Sequence, residues 1–85
     1  MFARKIRVEY FHDGVPTPAP IHWLDNFAMR SFTNDPIFDD TLPVADGLLE
    51  IGTRVPLVLL NDRLTDWCRR KGYLGAAGVL RLTEL

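Results

Sequence analysis

The segment spanning residues 53–85 constrains the fold most strongly, because it combines a helical apolar stripe with a clear helix stop. Apolar side chains recur there at steps of 3, 4, 3 and 1 residues, the spacing of one buried helix face; they are Leu57, Leu60, Leu64, Trp67 and Cys68. Basic residues at 69–71 complement the negative end of a helix dipole, and Gly72 follows where a left-handed residue closes a helix. The segment predicts a helix ending at Lys71, then a strand or hairpin that includes the alternating residues 79–83.

The start of this helix has two interpretations. In the first, residues 55–60 form a buried strand and Asn61 caps a helix over 62–71. In the second, the helix begins near Pro56. We prefer the second interpretation, since it places all five apolar residues of the stripe on one face.

The N-terminal residues predict a strand followed by a stiff linker. Residues 5–11 alternate, with Ile6, Val8 and Tyr10 on the side expected to be buried, and the turn residues at 12–14 end the strand. Prolines at every second position of 15–20 then exclude a helix and favour an extended, polyproline-like linker.

A first helix is expected over residues 20–32, where apolar residues recur at three- and four-residue steps. Trp23 lies at the edge of that stripe, so it either covers the core or faces a partner. Residues 33–47 carry several turn signals and predict a long acidic loop, which is either functional or a misread element. The short apolar segment 48–51 fits a strand or one helical turn.

Size and composition indicate one α+β domain over residues 1–85, with an N-terminal strand, two helices and a C-terminal strand or hairpin. The chain has 47% hydrophobic and 25% charged residues, as globular domains do. Its one cysteine cannot form an internal disulfide, which predicts a reducing compartment and, by default, the cytoplasm. No signal peptide is recognised at the N-terminus, and an apolar run of six residues at 55–60 is too short to span a bilayer, so no membrane association is expected.

Charge is distributed unevenly along the chain, although the net charge is only −1. Residues 1–52 hold four basic and eight acidic side chains, whereas residues 53–85 hold six basic and three acidic ones. Such asymmetry is typical of a binding face or of two halves that neutralise each other. It predicts a mixed-charge surface.

No catalytic, cofactor or metal site is predicted. His12 and His22 lack further ligands at metal-binding spacing. Cys68 has basic neighbours that would favour a thiolate, but its place in the apolar stripe and at a helix C-terminus indicates packing instead. The adjacent Asp39 and Asp40 are best interpreted as solvated carboxylates of an acidic loop.

The segment WCRRKGYLGAAGVLRLTEL resembles the end of a winged helix-turn-helix domain, with Gly52 in the place of the turn glycine and the resemblance covering residues 52–83. It implies a regulator that binds nucleic acid through basic side chains, namely Arg63, Arg69, Arg70, Lys71 and Arg81. Asp62 and Asp66 would lie on the same helix face and repel phosphates, which disfavours nucleic acid as the partner.

These observations predict a small non-enzymatic protein-binding module, that is, an adaptor, an inhibitor or a subunit, and the nucleic-acid-binding regulator is the alternative. Another protein is the expected partner, and self-association into a homo-oligomer is a further option. Aromatic anchors among charged side chains are typical of interfaces. The predicted partner-binding residues are Trp23, Asp35, Asp39, Asp40, Arg63, Arg69, Arg70 and Lys71.

Overall fold

The computed structural model describes residues 4–24, 41–52 and 55–85, and these form an antiparallel sheet of five strands with a helix on one face. Residues 21–24 are also helical. The elements are β1 (Arg4–His12), β2 (Val15–Pro18), β3 (Thr41–Ala45), β4 (Leu48–Ile51), α1 (Leu57–Arg70) and β5 (Leu80–Glu84).

The alternating sequence predicts a strand with one buried face, which is confirmed as β1, and the structure places this strand at the centre of the sheet. One of its edges pairs with β5, from Ile6 opposite Glu84 to Tyr10 opposite Leu80. Its other edge is shared, because β4 covers the first part of β1 and β2 covers the last part. Ile6 and Val8 are fully buried on the helix side of the sheet.

Strand β2 corrects the prediction of a polyproline-like linker. Asp13 and Gly14 both have positive φ, 51° and 77°, which is the geometry of the two-residue turns that match the twist of a hairpin. The turn folds residues 15–18 back onto β1 as an antiparallel partner strand, with Thr17 opposite Tyr10. Pro16 and Pro18 are compatible with this strand because they alternate with the residues whose backbone groups bond to β1, so their missing N–H groups cost no ladder hydrogen bond.

The hairpin of β3 and β4 corrects the prediction of a loop over 33–47 for residues 41–47, and residues 33–40 lie outside the described part of the chain. Residues 41–45 form an edge strand with an irregular register between Pro43 and Ala45, and 48–51 form a strand as one of the two interpretations proposed. Gly47 lies in the turn between them, with φ of 69°. Its carbonyl accepts a hydrogen bond from the Val8 N–H at 2.8 Å and its N–H donates to the Ala19 carbonyl at 2.6 Å, so one turn residue joins three parts of the chain.

The predicted fold class, an α+β domain of two helices with an N-terminal strand and a C-terminal strand or hairpin, is therefore wrong. The antiparallel sheet dominates the structure. The error comes from counting proline and turn signals as loops when they mark hairpins and sheet edges. The predicted helix 20–32 is helical at 21–24, and residues 25–32 lie outside the described part of the chain.

Helix α1 confirms the preferred interpretation of residues 56–71. It begins at Leu57 after Pro56, and its buried side chains include Leu60, Leu64, Trp67 and Cys68. Gly72 has φ of 79°, as predicted for the helix stop. The Gly72 N–H donates to Arg69 and the Tyr73 N–H to Cys68, which is the paired pattern of a Schellman cap.

The core lies between α1 and the inner face of the sheet. It joins the stripe of α1 to buried residues of the strands and of the segments beside them. Its members are Ile6, Val8, Ala19, Trp23, Leu24, Leu49, Ile51, Val55, Leu60, Leu64, Trp67, Cys68 and Leu80.

Candidate functional site

An open apolar groove of about 590 Å³ lies between the first half of α1 and strand β5. Two valines beside it are largely exposed: 73% of the surface of Val58 and 51% of that of Val79 is accessible to solvent. The lining residues are Leu57, Val58, Asn61, Asp62, Val79, Leu80 and Leu82. Apolar exposure gathered around one concave surface is a feature of ligand and protein interaction sites.

A side chain of α1 joins the helix to β5 and so positions the two walls of the groove. Asn61 donates from Nδ2 to the carbonyl of Leu80 at 3.4 Å, and its Oδ1 accepts from the Thr65 hydroxyl at 2.9 Å. These two bonds orient the Asn61 side chain between helix and strand. Val58, three residues earlier on α1, lines the same groove and is exposed.

Charge at the groove is concentrated on one carboxylate. Asp62 lines the groove, and it forms no ion pair with any residue in the described ranges. At the other end of β5, Glu84 is paired with Arg4 by two hydrogen bonds of 2.7 and 3.2 Å. The hydrogen bond from Arg4 holds the pKa of Glu84 below its ordinary value. Glu84 therefore has a cationic partner, whereas Asp62 has none among the described residues.

The outer edge of β5 presents unpaired backbone groups beside this groove. Leu85 donates its N–H to Lys5, which extends the ladder with β1, and hydrogen-bonded residues alternate along an antiparallel strand. The backbone groups of Leu80, Leu82 and Glu84 therefore point away from β1. Asn61 donates a hydrogen bond to the carbonyl of Leu80, and no described strand pairs with Leu82 or Glu84 on this side.

The other two outer edges of the described sheet carry prolines in the corresponding positions. In β2, Thr17 faces β1, so Pro16 and Pro18 face outward. In β3, Leu42 faces its partner Glu50, so Pro43 faces outward. Proline has no N–H to donate, and prolines on edge strands prevent another strand from adding. Strand β5 contains no proline.

Trp23 lies in the core and not in the groove. It is 8% exposed, and its ring is stacked parallel to Tyr73 with centroids 5.1 Å apart. The Tyr10 ring packs on the Trp23 ring with centroids 4.9 Å apart. The backbone carbonyl of Trp23 accepts a hydrogen bond of 3.3 Å from the Trp67 indole N–H. Of the two alternatives for Trp23, the structure therefore supports covering the core.

The four predicted basic residues lie on α1 or immediately after it, where Arg69, Arg70 and Lys71 contact other groups of the chain. Arg69 donates from Nε to the carbonyl of Gly78 at 2.9 Å, which holds the loop before β5. Arg70 is 3.1 Å from Asp66, and Lys71 lies over the Trp67 ring at 5.0 Å. Arg63 is exposed.

The three predicted acidic residues, Asp35, Asp39 and Asp40, lie outside the described residues. Sequence reasoning did not select the groove residues Val58, Val79 and Leu82. The available signal was a valine among polar positions of α1, next to Leu59, which is also partly exposed.

The titratable groups considered for chemistry do not form a site within the described chain. Cys68 is buried, and removal from water raises the pKa of its thiol to about 12, which suits packing and not a nucleophile. His12 is 3.6 Å from the Asp13 carboxylate, and both side chains are exposed. Among residues 4–24, 41–52 and 55–85, no group of three or more His, Cys, Asp or Glu side chains is arranged to hold a metal ion.

Comparison with protein-family models, with curated proteins and with solved structures finds no match for this chain. The described residues form a strand-rich fold and give no evidence of a winged helix. The segment that resembles a wing and its strand is the loop at 73–79 and β5, and β5 pairs with the central strand of the sheet. No helix in the described part of the chain is long and apolar enough to cross a membrane.

Proposed function

We propose that this protein is a small non-enzymatic protein-binding module, and that its contact surface is the groove between α1 and β5. The observation that carries the proposal is the exposure of Val58 and Val79 around a concave apolar surface. Burying either valine side chain completely would contribute about 1.5 kcal/mol or more to association. A partner would therefore gain from contact with this groove in particular.

Polar groups at the groove complement its apolar centre. Asp62 and Asn61 line it, and the ion pair of Asp66 with Arg70 lies farther along α1. An apolar centre with a polar rim is the usual composition of a protein interface. The mixed-charge face predicted from the sequence supplies part of that rim, while Asp35, Asp39 and Asp40 stay predictions.

The nucleic-acid-binding alternative has weaker support. Arg69 and Arg70 already donate to Gly78 and Asp66, and the groove carries the carboxylate of Asp62, which has no ion-pair partner in the described ranges. Affinity for nucleic acid depends on basic side chains that neutralise phosphates. A protein partner fits this surface better.

The test is selection of binders from a library of random linear peptides displayed on phage, with the folded protein immobilised. The groove variants are Val58→Asp and Val79→Asp, and the matched control is Val15→Asp. Val15 is a valine of similar exposure, 60%, and it lies on the β2 side of β1, away from the groove. All three changes are at exposed positions, so stability should change by no more than about 1 kcal/mol, which thermal unfolding checks.

We expect the natural protein and Val15→Asp to enrich the same peptides. The two groove variants should bind those peptides at least about ten-fold more weakly, because a charged side chain replaces the apolar contact. Absence of enrichment on the natural protein would refute the proposal. Undiminished binding by both groove variants would also refute it, because the contact surface would then lie elsewhere.

A further inference from the structure

We infer that the groove takes its partner as an added β-strand: an extended segment pairs with the outer edge of β5, places alternate apolar side chains over the groove and sets a basic side chain against Asp62. This inference rests on the proposed function and names the class of partner for the same surface. The partner is an unstructured or edge segment of another protein.

The backbone of β5 is the first support for strand addition. Leu82 and Glu84 direct both their N–H and their carbonyl groups outward, which amounts to four hydrogen-bonding groups in a row. An extended chain matches such a row at every second residue, whereas a helix offers no free backbone groups to it. The Asn61 bond to Leu80 marks where the open part of the edge begins.

The contrast among the edges is the second support. Pro16 and Pro18 close the outer edge of β2, and Pro43 lies on the outer edge of β3 next to an irregular register. These are common protections against unwanted strand pairing. Strand β5 has neither device, and its exposed edge is the one that adjoins an apolar groove.

The groove and its charge set the side-chain pattern of the partner. Side chains of an added strand alternate between the two faces of the sheet, so every second one lies on the side of Val58 and Leu82. Those side chains should be apolar. Asp62 lines the same groove without an ion-pair partner among the described residues, so a lysine or arginine should follow or precede the apolar positions.

The first experiment compares two peptide pools of equal composition. In one pool, Val, Ile and Leu alternate with polar residues and one Lys is present; in the other, the same residues are arranged at helical spacing of three and four. We expect the alternating pool to be enriched on the natural protein. Enrichment of the helical pool would leave the proposed function standing and would overturn strand addition. Failure of both pools would count against the proposed function itself.

The second experiment uses one enriched peptide and tests its backbone. Two versions are synthesised, each N-methylated at every second residue but in opposite phase. A peptide bound as a strand directs one phase of N–H groups to β5 and the other to solvent. One version should therefore lose at least about ten-fold in affinity while the other keeps it. If the two N-methylated versions lose equal affinity, strand addition is wrong. This test needs no change in the protein.

The third experiment changes the protein. Leu82→Pro removes an outward N–H and should weaken the peptide at least about ten-fold beyond Leu82→Ala, which shortens the same side chain and keeps the N–H. Asp62→Asn should weaken Lys-containing peptides about two- to five-fold and leave their Lys→Gln versions unchanged. Equal binding by Leu82→Pro and Leu82→Ala, with both folded by circular dichroism, would contradict strand addition. If the peptides fail and the protein instead dimerises in sedimentation in a manner abolished by Leu82→Pro, the occupant is a second copy and the inference is wrong.

Discussion

Replacing Gly47 by alanine should destabilise this protein more than the same change at any glycine of similar backbone conformation. Gly14 is the matched position, since its φ is 77° and that of Gly47 is 69°. The two sites differ in their surroundings. A Cβ on Gly14 meets nothing within 4 Å, whereas a Cβ on Gly47 would lie 2.8 Å from the Pro18 Cβ and 3.1 Å from the Val8 carbonyl oxygen.

The expected magnitude follows from two separate costs. The left-handed conformation costs an alanine about 1–2 kcal/mol at either position, offset in part by about 0.4–1 kcal/mol from the stiffer unfolded chain. The crowding at Gly47 adds about 1–3 kcal/mol, the range for a methyl group forced into a packed site. Relief by movement is restricted, because Gly47 is hydrogen-bonded to both Val8 and Ala19.

Urea unfolding monitored by circular dichroism measures both variants against the natural protein. Gly47→Ala should be less stable than Gly14→Ala by about 1–3 kcal/mol, which corresponds to a Tm lower by about 5–20 °C for a domain of this size. If the two variants unfold within about 0.5 kcal/mol of each other, the Gly47 turn does not hold β1, the residues after β2 and the β3–β4 hairpin together as described.

Three further changes test the core and the end of β5. Burial raises the pKa of Cys68 to about 12, so the folded thiol keeps its proton while the unfolded one loses it above about pH 9. The free energy of unfolding should consequently fall, relative to Cys68→Ala, by up to about 1.4 kcal/mol per pH unit between pH 9 and 12, and parallel pH curves would contradict this. The hydrogen bond from Arg4 lowers the pKa of Glu84, so Glu84→Gln should be less stable than the natural protein at pH 7, and the difference should disappear once the pH falls below the lowered pKa of Glu84. Trp23→Ala should lose about 3–5 kcal/mol by urea unfolding, and Trp23→Phe clearly less because it can still stack on Tyr73; equal losses would argue against the stacked arrangement.

Local patterns in the sequence identify the elements whose signals are periodic. The alternation of Ile6, Val8 and Tyr10 corresponds to β1, and the stripe that ends before Gly72 corresponds to α1. Both patterns extend over several residues of one kind of structure, so they are informative without knowledge of the rest of the chain. The helix stop is equally local, because a left-handed glycine closes the helix through bonds to the residues just before it.

The strands with proline could not be distinguished from linkers in this way. The ring of proline holds φ near a value that both polyproline and edge strands tolerate. The deciding signal is the Asp13–Gly14 pair, because this pair is typical of two-residue hairpin turns and so predicts more than the end of a strand. With the hairpin recognised, residues 15–18 become the partner of the second part of β1.

The candidate site depends on contacts that no local pattern contains. Its walls come from α1 and β5. Strand β5 is positioned by pairing with β1, which is distant in the sequence; Ile6, for example, lies opposite Glu84. Which residues become exposed there follows from that pairing. Val58 illustrates the difficulty, since its spacing in the sequence gives no indication that β5 will lie beside it.

Proline spacing nevertheless carries more information than the exclusion of helix. Residues two apart in a strand direct their backbone groups to the same side, so Pro16 and Pro18 must either both face a neighbouring strand or both face outward. The first arrangement would remove two consecutive ladder bonds from the sheet, and the second removes none. A strand with prolines in one phase is thus an edge strand with a closed outer side, and Pro43 fits the same rule. Because these prolines leave β5 as the described edge without such protection, the sequence and the groove together favour β5 as the place where another strand can add.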